Sequence, residues 1–265
     1  IGKKDSEYKS TPQVELMGIL DINTSLPLIS DEKNSIKFLT PKLKLKLNPN
    51  DMKNYFDTDR KMNTSTLFNS NRLGLSDTLE SGRSLTLGLD YKKQNKIDLN
   101  KFFEMKLATM FRDKEENFIP ENSTLGKKNS NLFGTLSNNL NEFINVKYDF
   151  AIDNNYKEFE YNNINTTISV NNFITKFDFI EESGLMGASN IFQNETSYVI
   201  DDKNMFSFKT RRNRKLNLTE YYDLIYQYNN DCLTASIKYK KSYYEDRALK
   251  PSEDIFFSIT LFPLT

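Results

Sequence analysis

Histidine is absent from the 265-residue chain, and cysteine occurs once, at Cys232. Without histidine there is no Ser-His catalytic pair, and the commonest metal ligand is missing. No paired-carboxylate motif of the glycosidase kind stands out either. A single cysteine cannot build an internal disulfide framework. No apolar run approaches the length of a membrane-spanning helix. Spanning β-strands stay open, because each needs only about ten residues of alternating pattern. Lys+Arg and Asp+Glu both number 36, so there is no net basic charge of the kind that nucleic acid would favour. The apolar fraction, 37%, is low for a filled soluble core, and Phe and Tyr, good strand residues, supply much of it. The sequence starts at Ile1 with no Met and no signal peptide, and reads as a mature fragment or an incomplete gene product.

What is present is alternation, clearest in residues 216–264. Three extended runs, 218–228, 232–244 and 254–264, are joined by Asn229-Asn230 and by a charged, Pro-containing segment. In the middle run Leu233, Ala235, Ile237, Tyr239 and Tyr243 share one parity, with Lys241 an intruder, and Thr234, Ser236, Lys238, Lys240 and Ser242 share the other. A side-chain period of two gives one apolar and one polar face. Asn-Asn tolerates the positive φ of a tight hairpin turn. The same pattern recurs at 12–23, 36–47, 84–92, 99–112, 131–137, 142–150, 158–170, 173–180, 191–200 and 205–212, about thirteen strands in all. Residues 30–34 read as a turn. Lys42, Lys44 and Lys46 at every second place suit a water-filled side rather than a filled core.

Short turns at 138–139, 171–172, 201–204 and 229–230 mostly alternate with longer connections at 151–156, 183–190, 213–216 and 245–253. That asymmetry suits an outer-membrane barrel, with tight periplasmic turns and larger outer loops. The fold class expected is all-β: an antiparallel meander whose polar parity faces a lumen and whose aromatic parity faces lipid. At membrane depth every backbone N–H and C=O must be paired within the sheet. About thirteen strands with an unpaired edge cannot meet this alone. Residues 1–265 are therefore expected to be the C-terminal part of a larger transmembrane barrel, without its first strands.

Several blocks carry a family resemblance. One is Tyr221-Tyr222, Tyr226, Tyr228, Asn230-Asp231-Cys232, Tyr239, Tyr243-Tyr244, Asp246-Arg247, Lys250-Pro251 and Ile255-Phe256-Phe257. A second lies in the long polar stretch 48–82: Leu67-Phe68, Asn71-Arg72-Leu73-Gly74, Asp77, Glu80 and Gly82, running into Leu87-Gly88-Leu89. A third is Leu26-Pro27-Leu28 with Leu39-Thr40-Pro41. In this order they resemble the C-terminal barrel region of the LptD family, lipopolysaccharide-assembly proteins of the Gram-negative outer membrane, also called organic solvent tolerance proteins. The resemblance implies an upstream jellyroll that meets an LptA-like periplasmic bridge, and an LptE-like lipoprotein plug. It implies lipopolysaccharide as cargo, with the glycan passing through the lumen and lateral exit at the seam between first and last strands. No chemical step and no cofactor is implied. The last strand, with Ile255, Phe257, Ile259 and Leu261 on its apolar parity, would be one side of that seam.

The candidate site residues follow. The resemblance makes Cys232 a disulfide partner for a cysteine in the N-terminal part; the alternative is a buried thiol behaving as a small hydrophobe. Arg72, Gly74, Asp77, Glu80 and Gly82 belong either to a loop folded inward, lining the lumen, or to a solvated outer loop. Arg211, Arg212, Arg214 and Lys215 could meet lipopolysaccharide phosphates, although charge runs are common at solvated loop tips. Pro251 and Pro263 flank the last strand as terminators. Tyr221-Tyr222 and Tyr243-Tyr244 suit an interfacial aromatic girdle. A general porin or uptake barrel is the alternative of another class; a porin should close by itself and trimerise.

Overall fold

The computed structural model describes residues 18–139, 141, 143–243 and 250–262. It is a single antiparallel sheet of 14 strands. They are β1 (Leu20–Ser25), β2 (Leu28–Asp31), β3 (Ser35–Asn48), β4 (Gly82–Asn95), β5 (Phe102–Arg112), β6 (Leu132–Asn139), β7 (Ile144–Ile152), β8 (Phe159–Val170), β9 (Phe173–Glu182), β10 (Asn190–Val199), β11 (Asn204–Asn213), β12 (Leu218–Asn230), β13 (Leu233–Ser242) and β14 (Ser252–Leu261). From β3 onward each strand pairs with the next in sequence. Among the described residues the sheet does not close on itself; β1–β2 and β14 are its free edges.

The first edge departs from the sequence reading. β1 and β2 both lie on β3 in one uninterrupted register, from Leu20 opposite Leu47 to Asp31 opposite Ile36. They are one strand broken where Leu26-Pro27 faces Thr40-Pro41. The Leu26 N–H donates to the Pro41 carbonyl at 3.1 Å, and Pro41 has no N–H to return. Ser30 and Asp31 therefore belong to a strand, not to the expected turn, which tightens to residues 32–34. Residues 12–17 of the expected first strand, Tyr244, Asp246, Arg247 and Pro263 lie outside the described residues.

Alternation sorts the two faces as expected. Leu43, Leu45, Leu47, Leu87, Phe206, Phe208, Leu224, Ile237, Tyr239 and Phe257 stand exposed on the outer face. Aromatic pairs tie neighbouring strands there: Phe173 with Tyr198 at 4.7 Å, Phe206 with Tyr226 at 5.1 Å and Phe208 with Tyr222 at 5.8 Å between ring centroids. The inner face carries Thr86, Thr135, Ser197, Ser207 and Asp223, small or polar and buried. Lys209 pairs there with Glu195 at 3.0 Å. Lys44 and Lys46 correct the expectation of a water-filled side, because both are buried under a covering loop.

The connections separate by end. Residues 32–34, 96–101, 140–143, 171–172, 200–203 and 231–232 join strands at one end, and 49–81, 113–131, 153–158, 183–189, 214–217 and 243–251 at the other. Asn171 takes the positive φ expected of it, +50°. Asn229-Asn230 does not form the last tight turn. The Asn229 side chain accepts from Thr234 Oγ1 at 3.0 Å across the ladder, so β12 runs on to Asn230 and Asp231-Cys232 makes the reversal. Asn138 and Asn139 likewise end β6.

Candidate functional site

Residues 49–81 fold back onto the inner face of β3–β6. The Asn63 side chain starts the fold: its Oδ1 accepts the N–H groups of Ser65 and Thr66 at 3.0 and 2.9 Å, ahead of a 3-10 turn over Thr66–Phe68. Gly74, at φ +71°, reverses the chain, a conformation costly to any residue with a Cβ. Met52, Met62, Leu67 and Leu73 of the loop then pack with Ala108, Met110, Phe133 and Ala151 of the strands. Ile119 and Leu125 of residues 113–131 and Met186 of residues 183–189 complete this small core. The two long loops are joined by main chain: Tyr55 N–H to Phe118 O at 2.8 Å and Glu121 N–H to Phe56 O at 3.1 Å.

Phe68 lies over Gly88, where a Cβ would stand 2.6 Å from the ring. Gly88→Val should therefore lift the 66–68 turn while β4 stays paired. The expected result is new protease sensitivity within 49–81 with unchanged β-sheet circular dichroism. A protected loop in the variant would show that the ring can move aside freely.

Beneath the loop sits a buried charge cluster. Arg72 forks onto Glu80, Nε to Oε2 and Nη2 to Oε1, both at 2.6 Å. The rest of its guanidinium donates to Thr86 Oγ1 at 3.0 Å and Ser84 Oγ at 2.8 Å. Lys46 Nζ donates to Glu80 Oε2 at 3.0 Å and to the Ser70 carbonyl at 3.2 Å. Arg112 donates through Nη2 to Glu80 Oε1, and binds the Ser81 carbonyl at 2.6 Å and the Leu125 carbonyl at 3.0 Å. One carboxylate thus serves three cations. Burial would raise the Glu80 carboxyl, but the Arg72 fork, Lys46 and Arg112 outweigh it and hold it well below the usual carboxylate range. Next to the cluster, Lys44 pairs with Asp21 at 2.8 Å and donates to the Phe68 carbonyl at 2.9 Å. Strands supply Lys44, Lys46, Ser84, Thr86 and Arg112; residues 49–81 supply Arg72, Glu80 and the Phe68, Ser70 and Ser81 carbonyls, and residues 113–131 the Leu125 carbonyl. The cluster is a latch between loop and sheet.

The family model for LptD, described as LPS transport system D, matches residues 2–183, more than half of the chain. The chain belongs to the LptD family. This is a lipopolysaccharide-transport family of the outer membrane, and the fold is accordingly part of an outer-membrane barrel. No curated protein matches the chain. The LptD match takes in β1–β9 and both long inward loops, so the latch lies wholly within it, as do two of the three resemblance blocks; the terminal hairpins that carry the remaining block lie beyond it.

The expected site residues scatter within this LptD-type sheet. Of the loop motif, Arg72 and Glu80 meet in the latch. Asp77 sits instead at the exposed rim, bound to Lys53 Nζ at 2.9 Å and Tyr55 OH at 2.5 Å. Gly82, at φ +84°, turns the chain into β4 beside Arg112. The sequence marks Lys46 only as one of three alternating lysines, and Arg112, Ser84 and Thr86 only by a parity that puts them on the inner face. Cys232 is a free, half-buried thiol in the 231–232 turn, and its carbonyl accepts the Phe262 N–H at 2.9 Å. The arginine run does not form one site: Arg211 turns inward to Glu220 at 2.8 Å, while Arg212 stands on the other face. Ile255, Phe257, Ile259 and Leu261 are exposed along the edge strand β14.

Proposed function

We propose that the chain carries lipopolysaccharide to the outer leaflet by passing the glycan along the polar inner face while the acyl chains stay in the membrane. The observation that carries this reading is the division of the sheet. One face is apolar and aromatic; the other is polar, ion-paired and covered near one end by inward-folded loops. In this reading the long-loop end faces the cell exterior. Residues 49–81 cap the passage at rest and yield when the glycan passes. Strands pairing with the edges β1–β2 and β14 would satisfy the backbone groups that lipid cannot. Exit would be lateral, beside Ile255, Phe257, Ile259 and Leu261 of β14.

The same reading assigns the partners. An upstream jellyroll would receive lipopolysaccharide from an LptA-like bridge, and an LptE-like lipoprotein would sit against the inner face. Cys232, at the short-turn end, would pair with a cysteine of the N-terminal part in the oxidising periplasm. Intact protein should then shift in gel mobility on reduction, and Cys232→Ser should abolish the shift.

Controlled depletion of the protein in its own host tests the central claim. Newly made lipopolysaccharide should stop reaching the cell surface and accumulate behind the outer membrane, while porin assembly continues. Undiminished surface delivery after depletion would refute the transport reading.

A further inference from the structure

Two arginines on the outer face have no carboxylate partner among the described residues. Arg212 of β11 stands opposite Phe192 of β10, which stands opposite Phe179 of β9. Arg214, in the following turn, lies with its guanidinium 5.7 Å from the Phe179 ring centroid, and its backbone N–H donates to the Asn190 carbonyl at 2.8 Å. Arg212 Nη2 donates to Asn217 Oδ1 at 2.6 Å, and Asn217 is held at φ +50°. Phe192, Arg212, Arg214 and Asn217 line a cavity of about 550 Å³. Glu181, on the same face of β9, is occupied by the Asn190 and Asn162 amides at 3.0 and 3.4 Å. Away from the loop end, aromatic surface continues through Phe177, whose ring centroid is 6.1 Å from that of Phe192.

Two exposed guanidinium groups, one hydrogen-bonded to Asn217 and the other over the Phe179 ring, keep N–H donors that match a phosphate, which they can take in forked, charge-assisted hydrogen bonds. The aromatic floor below them matches an acyl chain. Charge on a lipid-facing barrel surface is least costly near the interface, where a lipid headgroup sits. We propose that Arg212 and Arg214 bind the phosphorylated glucosamine end of a lipopolysaccharide molecule on the outside of the barrel, separate from the transported one. The assignment of the long-loop end to the outer leaflet rests on the reading under Proposed function.

The test uses the whole purified protein with its partner subunit, delipidated in detergent and titrated with lipid A while bound lipid is counted by native mass spectrometry. Wild type should bind bisphosphorylated lipid A at least about tenfold more tightly than the dephosphorylated form, a difference of about 1.4 kcal/mol. In R212Q/R214Q that preference should vanish, while R211Q, whose side chain faces inward, should keep it. Heat-modifiable gel mobility reports folding of each variant. Should the glutamine pair fail to fold, R212K/R214K decides: it keeps the charge but loses the forks, so the preference should fall several-fold. Wild-type preference in the double variants would overturn the proposal. So would displacement of lipid A by phosphatidylglycerol or inorganic phosphate at equal concentration. A variant that loses the preference yet delivers lipopolysaccharide to the surface normally supports this separate site. A protein that binds lipid A here but delivers none refutes only the transport reading.

Discussion

Glu80→Ala is expected to release residues 49–81 from the inner face. The carboxylate is the shared acceptor of Arg72, Lys46 and Arg112, and its side chain is 2% exposed. Removing it leaves three cations in a space closed to water. Breaking a buried pair from one side costs about 3–5 kcal/mol. The loop can escape that cost by swinging out and hydrating the cations, because it pairs with no strand; what else holds it is the small core around Leu67 and Leu73 and a few hydrogen bonds, among them Lys44 to the Phe68 carbonyl and Thr64 to Thr135. In planar bilayers the assembled protein should conduct several-fold more in the variant, and protease should nick it within 49–81, with sheet content unchanged. Glu80→Gln keeps shape and acceptor without charge and should fall between. Unchanged conductance with full protection would mean that the apolar core and the loop's other hydrogen bonds hold it without Glu80. The pH dependence has a definite sign. The folded Glu80 value lies below its ordinary 4.5, so the latch contributes in full above that pH and fades only as pH falls further, through the lowered value. The wild-type loop should therefore stay closed at pH 5, where Glu80→Gln is already loosened.

The alternation of Leu85, Leu87 and Leu89 against Ser84, Thr86 and Gly88 was enough to define a two-faced sheet, because a strand in lipid must keep its parity along its length. The direction of the 49–81 loop was not legible in the same way. A polar stretch has the same composition whether it is solvated or laid over a polar wall. Lys44 and Lys46 held the missing information: their parity gave the face, but the partners that fill it, Glu80, Asp21 and the Phe68 and Ser70 carbonyls, are distant in sequence. Arg112 reads alone as the polar end of β5 until Glu80 is brought to it. The arginine run shows the reverse error. Adjacent charges in sequence suggested one site, yet a period of two sends Arg211 and Arg212 to opposite faces. Pro27 hid β2, because a proline reads as a terminator unless its register on the neighbouring strand is known.

Thr64→Cys with Thr135→Cys is expected to arrest transport when oxidised. Thr64 of the loop and Thr135 of β6 bring their Oγ1 atoms to 3.2 Å, a separation within reach of disulfide geometry. The bond would tie residues 49–81 to the sheet wall near the middle of the loop. If the loop yields to let the glycan pass, the locked protein should deliver lipopolysaccharide to the surface at least about tenfold more slowly, a barrier increase of about 1.4 kcal/mol. Reductant should restore delivery. The single variants separate cross-linking from simple loss of the hydroxyls, of which Thr135 also donates to Asp149 Oδ1 at 2.7 Å. Because reductant also reaches Cys232, the comparison is with Thr64→Cys under the same reductant. Fully cross-linked protein delivering at the wild-type rate would make the loop a fixed wall, with the passage beside it along β8–β14. That outcome would be compatible with the Glu80 result, since a latch can hold a wall as well as a cap. The two experiments together therefore separate what fastens the loop from whether it must open.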